Sequence, residues 1–554
     1  MIKPWLKNYP ANVADEVEFK GVNSLTDIFH ETVAQYKDNV AFCNFEEQLT
    51  FFDLDCKSRD FAAYLQKELG VTKGDRIALM CPNILAFPIA MWGIVRTGAV
   101  QVNVNPSYTA RELKHQLNNA QVDTIVIFST SMPILDSIID DIALKNVITV
   151  KRDDSENNET KPFDDKNTLA KTIPLEVALS QGHYLPFDEP ILQNDDLLFL
   201  QYTGGTTGLS KGAMLTHGNL IANIFQYKEF AKKHIKMGRE TVLTVLPMYH
   251  IFSLTVNSLC YFFCGAKDIL VTDPRDMNYL ISLWRDNPIT FFTGVNTLFN
   301  SLLNAPDFDK ANFSSLKLTI GGGAAVQHAV AAKWQQVTGC RLNEGYGLSE
   351  TSPILTLNFG CEKGYFKGIG TPIPSTDVSI RDDLGGEVSQ GASGELCAKG
   401  PQIMAGYWQD LKATSECMTA DGYFKTGDIA MLDEHGFFHI VDRKKDMIIV
   451  SGFNVYPNEI ENEISKMQDV LESACIGIDD SKTGEAVKLF VVKNNPSITE
   501  HDVTSFCRQH LVAYKVPKHI SFIEALPKSS VGKILRRSLK LPKFKDQSAE
   551  KNNY

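Results

Sequence analysis

No stretch of the 554 residues fits G-x-x-x-x-G-K-[ST], which excludes a Walker A phosphate loop; Gly532-Lys533 is followed by isoleucine. The 11 cysteines contain no CxxC pair, and the closest two are Cys260 and Cys264. Scattered cysteines without a secretory signal predict reduced, mostly buried thiols in a cytosolic protein. The N-terminus, Met1-Ile2-Lys3-Pro4-Trp5-Leu6-Lys7, lacks the apolar segment of a signal peptide. A clean membrane-spanning run is also missing. The longest uncharged region, 241–266, is long enough for one but holds Pro247, His250, Ser253, Asn257 and Ser258. A buried strand-turn-helix is predicted there, and contact with a membrane surface stays open. Positive charge is not in excess: 55 Lys and Arg face 66 Asp and Glu, a net of −11, which argues against nucleic acid as the main partner.

What is present is ordinary for a globular chain, with 44% hydrophobic and 22% charged residues and length for about two to four domains. The charge is unevenly spread. Residues 443–554 carry 18 Lys and Arg against 14 Asp and Glu, a net of +4, leaving −15 on the rest. A small basic C-terminal part suits an anionic ligand, and equally a solvated basic face. Strand and helix signals alternate through the first 130 residues, which predicts an α/β domain with buried sheet strands. Thr50 and Thr499 are expected N-caps. The polar stretch 151–171 is expected to be a solvated loop.

The chain is centred on 202–212, Tyr-Thr-Gly-Gly-Thr-Thr-Gly-Leu-Ser-Lys-Gly, between an apolar strand signal at 197–200 and a helical one at 219–230. Glycines let backbone N–H groups converge into an anion site, and the hydroxyls and Lys211 add what a polyphosphate needs. A plain turn is the alternative. Beyond it, a strand ending in Pro247-Met248-Tyr249-His250 presents an aromatic ring and an imidazole at the sheet edge where ligands bind in α/β folds. A core histidine would look the same. The strand 316–320 runs into Gly321-Gly322-Gly323-Ala324-Ala325 and is expected to lead straight into a helix at 326–337. A flat ligand can lie there near a helix N-terminus, unless the glycines only make a tight crossover. In Glu344-Gly345-Tyr346-Gly347, Tyr346 can offer a stacking face, and Glu350 a carboxylate for Mg²⁺ or a helix cap. Asp428 follows a turn at Asp421-Gly422 and, fixed by it, could accept from ribose hydroxyls or make an Asx turn. Charges at 442–446 between two short strands mark a hinge or domain boundary, and Ser451-Gly452 ends the second strand. Lys533 follows a glycine in a polar loop and can reach beyond its own domain.

Together YTGGTTGLSKG, PMYH, GGGAA, EGYGLSE, KTGD, DRKKDMIIVSG and PKSSVGK, in this order over roughly residues 25–540, resemble the adenylate-forming (AMP-binding) superfamily. That superfamily holds acyl-CoA synthetases, luciferases and peptide-synthetase adenylation domains. The segments 421–445, GFNVYPNEIE and YKVPK…LPKSSVGKILRR are similar to the bacterial long-chain fatty acid–CoA ligases; one departure is Tyr423-Phe424, where that signature more often has Trp-Leu.

The resemblance implies a mixed α/β fold: a large N-terminal AMP-binding domain, 1–442, and a small mobile α+β lid, 443–554, hinged near Lys445. It implies ATP and a fatty acid giving acyl-adenylate and diphosphate, then CoA displacing AMP, which would supply β-oxidation. By the same resemblance Lys533, His250 and Lys445 are catalytic. Thr203, Gly204, Gly205, Thr206, Thr207, Gly208 and Lys211 would hold phosphates, and Thr203 and Glu350 would coordinate Mg²⁺. Tyr346 would stack on adenine beside Gly322, Gly323 and Ala324, with Glu344, Gly345 and Gly347 also binding ATP; Asp428 and Arg443 would hold the ribose, and Ser451 and Gly452 line the CoA passage. Apolar residues of 243–263 and 291–295 are the expected acyl-tunnel walls. A medium-chain or aryl-acid CoA ligase, an acyl-AMP ligase and a non-catalytic nucleotide or lipid sensor are the alternatives. The implied location is cytoplasmic; peripheral contact with the inner face of the cytoplasmic membrane and a homodimer stay open.

Overall fold

The computed structural model describes residues 3–19, 21–151, 171–203, 210–359, 368–529 and 532–541. The expectation for 151–171 falls almost wholly outside them. Among the described residues the strands form four sheets. The first has a parallel core of Lys267–Leu270, Thr241–Thr244, Phe291–Gly294, Leu318–Gly321 and Leu342–Gly347. The second pairs Arg76–Met80, Val100–Asn103, Thr124–Phe128 and Leu197–Thr203 in parallel, then turns antiparallel at Lys211–Thr216. Runs of Val, Ile, Leu and Phe in these strands are buried on both faces, as parallel sheets with helical crossovers require.

Between the two sheets lies a shared apolar core in which Phe29, Phe42, Phe51 and Trp92 gather around Phe262. Helices enter the layers with reciprocal caps. Thr50 with Asp53 and Thr499 with Asp502 each close a capping box, together satisfying two N-terminal donors per helix, at about 1 kcal/mol per cap. Val40–Asn44 and Glu47–Thr50 pair as an antiparallel hairpin.

The region 241–266 was expected to be strand-turn-helix. It is strand Thr241–Thr244, then a π-helix, Ser253–Cys260, and one helical turn, Tyr261–Phe263. Asn257 holds the wide turn against two strands: its Nδ2 donates to Thr244 Oγ1 (3.0 Å), and its Oδ1 accepts from Thr293 Oγ1 (2.8 Å). No helix among the described residues is long and apolar enough to cross a membrane.

A third, antiparallel sheet of Asp377–Arg381, Ser393–Lys399, Phe424–Leu432 and Phe438–Arg443 completes the large domain. The small C-terminal domain has its own sheet, from Ile448–Val450 to His519–Phe522, and its own core of Val455, Ile460, Cys475, Leu489 and Val503. Ten cysteines among the described residues are free.

Candidate functional site

The site is built where strand ends of the large domain meet the last loop of the small one. Asp428 and Arg443 are register partners on antiparallel strands. Arg443 Nε lies 2.9 Å from Asp428 Oδ1, and the Tyr346 hydroxyl donates to Asp428 Oδ2 at 2.7 Å. Each carboxylate oxygen keeps a further lone pair for an incoming hydroxyl. Asp428 was expected to be fixed by the turn at Asp421-Gly422. That turn exists, closed by Gly422 N–H on Thr419 O, but Asp428 stands inside the strand Phe424–Leu432, and the ladder fixes it. Burial, then the Asp428 charge, raises the Tyr346 phenol well above its ordinary range.

The glycine turn comes against the same edge. Gly322 N–H donates to Gly294 O at 3.1 Å, and a Cβ on Gly322 would stand 3.1 Å from Gly345 O and 3.2 Å from the Phe252 ring. A Cβ on Gly347 would fall 1.8 Å from Pro353 O. Gly323 is exposed and Ala324 half-buried at the turn's outer side. The helix does not start straight after the glycines; it runs His328–Thr338. Gln327 is its N-cap, with an extended backbone (φ −67°, ψ 135°), and the donors ahead of it are held by side chains. Val326 N–H goes to Glu344 Oε1 (3.3 Å) and Gln327 N–H to Asn296 Oδ1 (2.9 Å). Burial pushes the Glu344 carboxyl up to about 7, with that Val326 N–H pulling the other way.

Thr203 ends its strand opposite Lys211. Gly204, Gly205, Thr206, Thr207 and Gly208 lie outside the described residues. Lys211 Nζ is 3.4 Å from Asp410 Oδ2 and 5.4 Å from the centre of the Tyr407 ring. Tyr407 in turn donates its hydroxyl to Glu350 Oε1 at 2.8 Å. Glu350 sits in the 3₁₀ turn Ser349–Thr351, packed on the strands that carry Thr203 and Lys211, and burial raises its carboxyl. The sequence reading missed Tyr407. Its signal was Gly406-Tyr407-Trp408, a glycine before two aromatics, as in the tyrosine motif that was noticed. His115 was also missed; its Nε2 meets Ser210 O at 3.0 Å beside the loop.

Lys533 reaches this cluster from the small domain. Gly532 has φ +79°, and its carbonyl accepts from Thr297 Oγ1 at 3.1 Å, just past the strand Phe291–Gly294. Burial first, then Arg443, pushes the half-buried Lys533 ammonium down to about 8, with Asp428 opposing and Lys445 adding to the fall. His250, half-buried before the π-helix, is pushed down to about 4 by burial and by the Lys533 charge. Partial burial and then Arg443 lower Lys445 as well. Electrostatic coupling links these groups in a chain: His250 to Lys533, Lys533 to Arg443, Asp428 and Lys445, and Arg443 in turn to Tyr346 and Glu350. Ser451 and Gly452, with φ +51° and +82°, form an exposed hairpin turn of the small domain.

Residues 29–408 match the family described as AMP-binding enzyme, and residues 459–533 the AMP-binding enzyme C-terminal domain. A long-chain-fatty-acid–CoA ligase of Escherichia coli O157:H7 is 48% identical, covering 98% of each chain. A protein of the same name from Haemophilus influenzae is 43% identical, again over 98% of each. Among solved structures, ATP-bound MatB from Rhodopseudomonas palustris superimposes with a TM-score of 0.81 at 27% identity, covering 94% of this chain and 98% of that one.

Proposed function

Because the chain belongs to the AMP-binding enzyme family, we propose that it is an AMP-forming long-chain fatty acid–CoA ligase, joining fatty acid to CoA through an acyl-adenylate. The observation that carries this reading is the loop of Lys533, docked through Gly532 on Thr297, which brings the lysine's charge within electrostatic reach of His250, Arg443 and Asp428. A carboxylate attacking the α-phosphate is an anion approaching an anion, and Lys533 supplies positive charge where they meet. His250 stays neutral near pH 7 and can donate one hydrogen bond to the acid's carboxylate. Asp428 and Arg443 hold the ribose hydroxyls, and Tyr346, pinned through its hydroxyl, turns its ring to adenine beside Gly322, Gly323 and Ala324.

The Glu350 carboxylate, accepting from Tyr407 through Oε1, lies beside the Thr203 strand. Mg²⁺ would arrive on ATP and take most of its ligands from phosphate and water. Thr203 and Glu350 would hold that ion, which supplies charge neutralisation at the phosphates. Buried apolar side chains of 243–263 and 291–295 are the tunnel walls of this reading. Burying the chain contributes roughly 0.8 kcal/mol per CH₂.

In the second half-reaction the small domain turns about 443–445, Lys533 withdraws, and the Ser451-Gly452 turn lines the CoA passage. The test is product identity. With palmitate, ATP, Mg²⁺ and CoA, mass spectrometry should find palmitoyl-CoA, AMP and diphosphate in equal amounts. ADP and phosphate in their place would overturn the reading.

A further inference from the structure

Asp442 and Arg443 are neighbours at the end of the strand Phe438–Arg443, and strand geometry sends their side chains to opposite faces. Arg443 turns to Asp428. Asp442 has no exposed surface and turns to the small domain. Its Oδ1 accepts the N–H of Arg443 at 2.7 Å, and its Oδ2 accepts the N–H of Asn458 at 2.8 Å. Asn458 is the second residue of the helix Pro457–Ile464, so Asp442 satisfies one of that helix's open donors from across the 444–447 connection.

Asn458 is engaged on both sides, because its Oδ1 accepts from Arg536 Nη2 at 2.7 Å. Arg536 also grips Glu461 with two bonds, Nε to Oε1 at 3.2 Å and Nη2 to Oε2 at 2.7 Å, and meets Asp446 Oδ2 at 3.5 Å. Arg536 stands three residues beyond Lys533 and opens the last described helix, Arg536–Leu539. Burial works against the Arg536 cation, and Glu461, Asp442 and Asp446 outweigh it. Burial likewise raises the Asp442 carboxyl, with Arg536 pulling the other way. One polar chain thus runs from the large-domain strand through Asn458 and Arg536 to the loop that carries Lys533.

We propose that Asp442 is a positioning residue for adenylation, latching the small domain through Asn458 and Arg536 in the pose that brings Lys533 to the substrate. This rests on the two-pose reading above. The latch differs from the Thr297–Gly532 contact in kind: it sits at the pivot, where a small rotation moves Lys533 a long way.

The test measures two half-reactions on the full-length protein: fatty-acid-dependent ATP–diphosphate exchange, and acyl-CoA formation from supplied acyl-adenylate. Removing one member of a buried charged network weakens it strongly, so Asp442→Ala should slow exchange by roughly tenfold or more while changing acyl-CoA formation by less than about twofold. Asp442→Asn keeps an acceptor for the Asn458 N–H and covers the case in which the alanine variant does not fold. It should slow exchange by about threefold, the share of the lost charge. Arg536→Gln should show the same asymmetry from the small-domain side. A merely structural role would lower both half-reactions together along with the melting temperature, and that result would overturn the latch. Lys533→Ala serves as the reference. If it separates the half-reactions and the Asp442 variants do not, the latch alone falls; if it lowers both equally, the two-pose reading falls and the latch with it.

Discussion

Asp428 and Lys533 face the same space, but they are held there in different ways. Asp428 lies inside an antiparallel sheet, paired with Arg443 next to a bulge at Ile429-Ala430, and both its oxygens carry hydrogen-bonded or ionic partners from other strands. Lys533 sits on a loop of the other domain that meets the large domain through a hydroxyl–carbonyl bond on Gly532. The first arrangement is preorganised, and leaving it would break a sheet. The Gly532 contact is cheap to undo, since one net hydrogen bond is worth about 1 kcal/mol. A reaction with two chemically different steps needs both kinds: walls that hold the adenylate throughout and a charge that can leave after the first step. Lys533→Ala should therefore separate what Asp428 serves continuously. We expect a loss on the order of 10² to 10³ in ATP–diphosphate exchange, the scale for removing a preorganised charge donor, with acyl-CoA formation from supplied acyl-adenylate nearly intact.

Next in size is the response to pH. Lys533 in the docked pose is pushed from 10.5 down to about 8. The charged form does the chemistry, so kcat/KM for adenylation should fall as pH rises through about 8, by roughly tenfold per unit beyond it. Docking itself has the opposite sign: the docked pose binds fewer protons than the withdrawn one between 8 and 10.5, so rising pH favours it in that window. Lys533→Arg, always charged, should remove the alkaline limb. A limb that persists in that variant assigns the titration to another group.

A smaller effect sharpens the contrast at the dock. A Cβ on Gly532 would stand 2.6 Å from Thr297 Oγ1, on a backbone with φ +79°. The strain of about 1–3 kcal/mol should slow adenylation by about tenfold in Gly532→Ala, read by the same exchange assay, without touching thioester formation. Thr297→Val, which only removes the bond to Gly532 O, should cost about fivefold, and Thr297→Ser should restore it.

The sequence was most legible where a few consecutive residues decide the outcome. Thr50 and Thr499 announced their helices because a cap and its Asp three residues on form a local pair. The motif residues could be nominated because loop and strand-end chemistry is written in short runs, and pairwise electrostatic coupling runs from His250 through Lys533 to Arg443, Asp428 and Lys445, and on to Tyr346. What distant partners decide was not legible. Asp428 read as a turn residue because its strand partner, Arg443, is fifteen positions away. The segment between the glycines and the helix is held by distant side chains, Glu344 on the N–H of 326 and Asn296 on that of 327, and the helix starts only at His328. Tyr407 bonds Glu350 across 57 residues, and Asn257 sets its π-helix against two adjacent strands of one sheet.

The measurement that tests the central claim most directly is AMP release with ATP and Mg²⁺ for straight-chain acids from acetate to stearate, with and without CoA. The account predicts CoA-dependent release whose kcat/KM climbs by about fourfold per added CH₂, the equivalent of roughly 0.8 kcal/mol, and peaks between laurate and stearate. Acyl-adenylate accumulating with no use of CoA, or a preference for acetate over every long chain, would contradict it.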